Sequence, residues 1–293
     1  MARSAHRNVN FYNGSTGVHL GGVRQKGSIT NANFFDMLMN VLLDVEAIIS
    51  IVFRGTGVPI PINTNRLAEG DYDIFCPQGE VKLTHNTCVQ RVYSRSRSAR
   101  EDSFRNSVRA RDGKCVLTGV VNNSASSNEW TGFEAAHIFP MGQQELWRLG
   151  GFSRFIIRPG RHPVNSVQNG LLLTLTMHQL FDSFLLSVNP DVSKLLYLSG
   201  NNWNVDGRIL DIVCRDPNNP DRVADELLRW HFQQCVLANM KGAGEPIFEH
   251  DFPSGTDVMN EIMRGPLPAQ RMELELFSRL QRIPQEDDDE FVY

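Results

Sequence analysis

Glu134-Ala135-Ala136-His137-Ile138-Phe139-Pro140 and, further on, Asn169-Gly170-Leu171-Leu172-Leu173-Thr174-Leu175-Thr176-Met177-His178-Gln179-Leu180-Phe181-Asp182 are the stretches whose reading decides the fold. The first sets a histidine among apolar neighbours in a β-like run that Pro140 ends, because proline cannot go on donating to a ladder. In the second, the apolar run passes into helical spacing, so His178 and Asp182, four apart, project from one face. Imidazole nitrogen beside carboxylate oxygen is a partial ligand set for a divalent ion and leaves positions open for water and phosphate. Taken alone, the pair reads first as a satisfied contact on a helix surface, which would look the same. His137 changes the weighing, because an unpartnered imidazole is costly to bury. A histidine titrating near neutrality is also the natural general base for water.

Between and before these anchors, Cys115 to Thr118 reads as a short strand turning at Gly119, and Val121 to Trp130 as a polar surface loop. Gln143 to Leu149 has helical character, and Gly150 to Ser166 is an irregular insertion rich in Arg, Gly and Pro. Within it Arg158, Arg161 and His162 are candidates for phosphate contact, as is Lys114 beside the core, with ordinary solvated surface as the alternative for each. Glu249-His250-Asp251 could add a ligand or base, or be a satisfied loop.

Upstream, turn signals at Asn13-Gly14, Thr16-Gly17 and Gly21-Gly22 predict a hairpin over Arg7 to Gly27, followed by a helix from Asn31 as cap through Val45. Strands are expected in Ala47 to Arg54, Gly70 to Phe75, Glu80 to Thr84 and Cys88 to Tyr93. Arg91 to Arg100 is a Ser/Arg strip, read as a linker or as a phosphate-contacting segment, and Glu101 to Arg111 is helical. Downstream, strands are expected at Leu185 to Val188 and Lys194 to Leu198. A strong helical period covers Val223 to Met240, capped by Asp221, with shorter helices at Met259 to Met263 and Gln270 to Leu280. The predicted organisation is α+β: an N-terminal α+β domain over 1–90, a linker over 91–103, a central ββα domain over 104–190, a helical C-terminal region over 191–280 that covers the core, and a disordered acidic tail over 281–293.

Composition adds limits. A net charge of -4 argues against a broadly basic surface, although the strip at 91–100 is locally basic. The 5 cysteines are scattered and never form a C-x-x-C pair, which fits reduced thiols rather than disulfides or a zinc ribbon. No apolar leader or membrane-length run is present, so an intracellular protein of cytoplasm or nucleus, without a membrane, is expected.

Four ordered motifs, Cys115-x-x-Thr118-Gly119, Ala135-Ala136-His137-Ile138-x-Pro140, Asn169-Gly170-Leu171-Leu172-Leu173 and His178-x-Leu180-Phe181-Asp182, resemble the HNH endonuclease family, in a branch common among fungal proteins and some restriction-type enzymes. The resemblance implies a ββα-metal fold with His137 as general base, Asn169 pinning the loop that orients it, and His178 with Asp182 holding one divalent ion (Mg, Mn or Zn). It implies DNA as substrate and phosphodiester hydrolysis as the reaction.

The chain also departs from that pattern. Ala136 stands where many relatives carry a metal-binding side chain before the general base, which leaves His178 and Asp182 as ligands unless Glu134 or the 150–166 insertion joins them; weak or absent ion binding is one expected outcome. Thr118 stands where a zinc-stapled relative has its second thiolate, so the flanking segments must hold the unit instead. Two further readings stand beside hydrolysis: a degenerate scaffold used for binding or regulation with a protein partner, and a pocket turned to a small molecule.

Overall fold

The computed structural model describes residues 6–89, 99–158, 162–198, 203–242, 255–264 and 272. Residues 6–242 belong to one compact unit, while 255–264 and 272 belong to a second, in which Val258–Arg264 forms a helix. The expected strand residues 90–93, most of the Ser/Arg strip, Glu249-His250-Asp251, the acidic tail and all of the 270–280 helix except Met272 lie outside the described residues.

Alternation of buried and half-buried side chains in Val9–Asn13 (β1) fits a strand with one covered face, and it pairs antiparallel with His19–Val23 (β2). Helix α1, Asn31–Met37, follows and continues as a π-helical turn over Leu38–Leu42; its cap is Thr30 rather than the expected Asn31, in a reciprocal capping box with Asn33. Ser50–Phe53 (β3), Val58–Pro59 (β4) and Gly70–Phe75 (β5) complete a sheet of order β2-β1-β5-β3-β4 among the described residues, with β1 and β5 parallel. Phe34 of α1 meets Phe11 and Tyr72 edge-on or tilted, at ring distances of 5.9 and 5.6 Å. The expected strand at Glu80 to Thr84 does not form, and only an isolated bridge joins Leu83 to Leu43. The segment's backbone bonds run instead to the end of the π-helical turn, where Asp44 N–H donates to the Lys82 carbonyl and Thr84 N–H to the Leu42 carbonyl, each at 2.8 Å. Cys88 and Val89 are likewise not in a strand.

Helix α2, Ala99–Asp112, begins inside the expected linker and ends at Gly113, whose φ of 64° gives the left-handed turn that glycine tolerates best. Its last turn carries a buried ion pair: Arg111 Nε and Asp112 Oδ1 lie 2.6 Å apart. Arg111 also donates to the carbonyls of Val167, Gly170 and Asp221 at 2.7, 2.6 and 3.1 Å, and Asp112 accepts from the Leu172 N–H at 2.8 Å. Every strong donor and acceptor of the pair is thereby matched, the condition under which buried charges are tolerated. Cys115 to Thr118 is a turn rather than the expected strand, closed by Gly119 N–H to the Cys115 carbonyl at 2.8 Å.

Phe133–His137 (β6) pairs antiparallel with Gly170–Thr174 (β7), and Leu175–Asp182 (α4) follows directly. Between them lie α3, Gln144–Leu149, and several 3-10 turns, including Pro163–Asn165. Leu186–Asn189 (β8) and Lys194–Tyr197 (β9) form a second hairpin. Helix α5, Asp225–Met240, has no side-chain cap at Ala224, so Asp221 does not play the expected capping role. Twelve of its residues are buried, which marks an internal helix covered on most sides rather than a surface one. At one end Trp230 packs at a tilt against Phe139, with ring centroids 4.3 Å apart; at the other, Arg7 donates to the carbonyls of Asn239 and Gly242, and Gly242 N–H donates to the Leu20 carbonyl at 2.8 Å. Helix α5 thus joins the N-terminal sheet to the ββα unit.

Candidate functional site

Successive residues of a strand face opposite sides, and β6 uses both. Ala136 is fully buried in the main apolar cluster with Met177 and Phe181 of α4, which puts Glu134 and Ala136 on the α4 side. Ala135 packs with Phe104, Val108 and Leu172 under α2, which puts Ala135 and His137 on the other. The strand therefore carries two sets of polar groups, one on each face.

On the α4 side, His178 lies between two carboxylates. Its Nδ1 is 2.6 Å from Glu134 Oε2 and its Nε2 is 3.2 Å from Asp182 Oδ2. The i, i+4 spacing on α4 delivers Asp182, and the register that pairs Glu134 with Leu173 delivers Glu134. Burial works against the imidazolium, but the charges and hydrogen bonds of Asp182 and Glu134 outweigh it and push His178 up to about 9. The hydrogen bond from His178 in turn holds the Glu134 carboxyl below its usual range, against the opposing effect of burial. The His178 and Asp182 side chains are 21% and 11% exposed and that of Glu134 is 50% exposed, so solvent reaches the cluster.

On the α2 side, His137 stacks flat on Phe104, with ring centroids 3.8 Å apart and 9° between planes. Its Nε2 is 3.1 Å from Asn165 Oδ1. The stack depends on Gly170, which pairs with His137: a Cβ there would fall 2.6 Å from both Phe104 Cζ and Val108 Cγ2. Asn169 is fully buried and bonds backbone only. Its Nδ2 donates to Phe139 O at 3.0 Å and Val164 O at 2.8 Å, and its Oδ1 accepts from Phe139 N–H at 2.8 Å. It ties the segment just after His137 to the 3-10 turn that ends in Asn165.

The structure therefore brings His178 to Asp182 and adds Glu134, and it brings His137 to Asn165 and Phe104. Glu134 had a sequence signal, as the nearest acid upstream of Ala136. Asn165 had none, and Phe104 showed only as the i, i+4 partner of Val108 on a helix, which marks a packed face and not a site. Lys114 is paired with Asp211 at 2.7 Å, and Arg158 stands 3.7 Å from Asp221. His162 Nε2 is buried with no hydrogen-bond partner among the described residues, and Arg161 lies outside them.

Whether these groups suit a divalent ion can be tested on their geometry. Donors sharing one ion as neighbouring ligands stand about 3.0–3.4 Å apart at ordinary metal–ligand lengths, and Nε2 of His178 and Oδ2 of Asp182 are 3.2 Å apart. Glu134 sits on the opposite ring nitrogen, where a carboxylate accepting Nδ1–H leaves the Nε2 lone pair for the ion, an arrangement common around metal-binding histidines. The pair fits as a two-donor site. Among the described residues no group of three or more His, Cys, Asp or Glu is placed to hold an ion.

Comparison with known proteins gives two matches to family models. Residues 115–189 match one described as HNH endonuclease, and residues 6–80 match one described as a Domain of unknown function (DUF8573). No curated protein and no solved structure matches the chain.

Proposed function

With residues 115–189 belonging to the HNH endonuclease family, we propose that the chain hydrolyses phosphodiester bonds of DNA with the help of one divalent ion. The observation that carries this reading is the line Glu134–His178–Asp182, a histidine with a carboxylate on each ring nitrogen, at the helix of the family match. His178 and Asp182 would hold the ion, and Glu134 would orient His178. Once bound, such an ion neutralises charge on the phosphate and its departing oxygen.

The chain's own residues supply the remaining chemistry. His137 takes a proton from water as the water oxygen forms its bond to phosphorus and the bond to the leaving oxygen breaks. Asn169 fixes the backbone beyond His137, so the imidazole is presented from a rigid strand end.

The test is nicking of supercoiled plasmid by the purified full chain with Mg²⁺, Mn²⁺ or Zn²⁺, against a chelator control. The reading requires nicking with at least one ion, abolished by chelator and by His178→Ala. A parent chain inactive with every ion would overturn it.

A second reading is favoured by one observation: His178 is already satisfied as an imidazolium between two carboxylates. An ion must displace that proton, so a scaffold that no longer binds metal and serves a partner instead accounts for the same contacts. Calorimetric titration with Mn²⁺ or Zn²⁺ separates the two, since stoichiometric binding lost in His178→Ala belongs to the nuclease alone.

A further inference from the structure

We propose that Asn165, outside all four sequence motifs, is a positioning residue that decides which nitrogen of His137 acts as base. The proposal rests on the nuclease reading for its kinetic consequence, and on geometry alone for its structural one.

An amide oxygen accepts hydrogen bonds and cannot donate them. The 3.1 Å contact of Asn165 Oδ1 with His137 Nε2 therefore calls for the proton on Nε2. A neutral imidazole carries one N–H, so the lone pair that accepts a proton from water is then on Nδ1. The ring cannot readily turn to exchange the two nitrogens, because Phe104 lies flat against it at 3.8 Å. Tautomer and ring plane are set by different residues.

Asn165 is itself held. It ends the 3-10 turn Pro163–Asn165, and its N–H donates to the His162 carbonyl at 2.9 Å. One residue earlier, the Val164 carbonyl accepts from Asn169 Nδ2 at 2.8 Å, while the same Asn169 side chain grips Phe139 N–H two residues past His137. Asn169 therefore fixes the backbone on both sides of the Asn165–His137 contact without touching the imidazole. The motif asparagine is the anchor, and Asn165 makes the contact.

Two measurements on the full chain test this. Long-range ¹H–¹⁵N correlation spectra of the His side chains, with His137 assigned by its loss in His137→Gln, should show the Nε2–H tautomer in the parent and a mixture in Asn165→Leu. In plasmid nicking, Asn165→Leu should lower kcat by about 10²-fold or more, as loss of a tautomer-setting partner does in other histidine-based sites, with KM little changed. Asn165→Asp, which restores an acceptor at the same place, should recover most of that loss. An Nδ1–H tautomer in the parent, or a tautomer indifferent to Asn165→Leu, would overturn the proposal. So would equal losses in the Leu and Asp variants. If the parent nicks nothing, the nuclease reading fails, and the spectra still decide what Asn165 does to His137.

Discussion

At the scale of single residues, the charge state of His178 makes the clearest commitment. Its imidazole is raised from 6.5 to about 9, so the folded state holds the proton more tightly than the unfolded chain. The sign follows from linkage: the added stability is fully present below about pH 6.5 and is lost as pH rises through 9. Denaturant unfolding should therefore show stability falling over that window by up to about 3 kcal/mol, and His178→Gln should flatten the slope. A parent profile equally flat would mean that the two carboxylates do not hold an imidazolium. The residues of this cluster were readable in advance to different degrees. His178 and Asp182 announce themselves by i, i+4 spacing, whereas the Glu134 contact spans 44 positions and exists only because β6 pairs with β7 in one register. Asn165 was hidden for the same reason, being brought to His137 by a turn inside an irregular insertion.

At the scale of elements, helix α2 is held over the β6–β7 hairpin by two devices, both open to test. The first is the Arg111–Asp112 pair, which bonds the carbonyls of Val167, Gly170 and Asp221 and the N–H of Leu172. Removing one partner of a buried pair strands the other, so Arg111→Ala should destabilise the protein by about 3–5 kcal/mol, seen as a lower denaturant midpoint. The second device is Gly170, whose missing side chain admits Phe104 and Val108. Gly170→Ala should cost about 1–3 kcal/mol as an overpacked site and should displace Phe104 from His137, lowering nicking more than stability alone explains. Loss of neither stability nor activity would remove Gly170 from the account. The hairpin and α4 were legible because apolar runs, Pro140 and the change from strand to helical period all agree. The 80–84 and 115–118 segments misled because local β character does not say what a segment will pair with: Leu83 meets Leu43 in a single bridge, and Val116 gives one N–H to the Leu172 carbonyl of β7 from within a turn.

At the scale of the whole molecule, α5 and its contacts decide how far the N-terminal sheet and the ββα unit act as one. Arg7, its guanidinium pushed down to about 10 by burial, donates to carbonyls at the end of α5, and Ser28 bonds Asp206 at 2.9 Å across the same junction. All 4 tryptophans, Trp130, Trp147, Trp203 and Trp230, lie beyond the N-terminal sheet in sequence. If residues 6–242 unfold cooperatively, Arg7→Ala must lower the midpoint reported by tryptophan fluorescence, by about 1–3 kcal/mol for the stranded carbonyls. An unchanged tryptophan transition would mean that the sheet melts by itself. The sequence could suggest separate modules, because each has its own apolar periodicity, but a guanidinium reaching over 230 positions leaves no local trace.

The proposed catalysis by His137 is the claim on which the rest converges, and single-turnover cleavage of a DNA duplex by the full chain with Mg²⁺, Mn²⁺ or Zn²⁺ tests it most directly. The parent should cleave, and His137→Ala, which leaves Glu134, His178 and Asp182 in place, should be slower by about 10²–10⁴-fold, the usual contribution of a general base. Cleavage at the parent rate by His137→Ala would contradict the account.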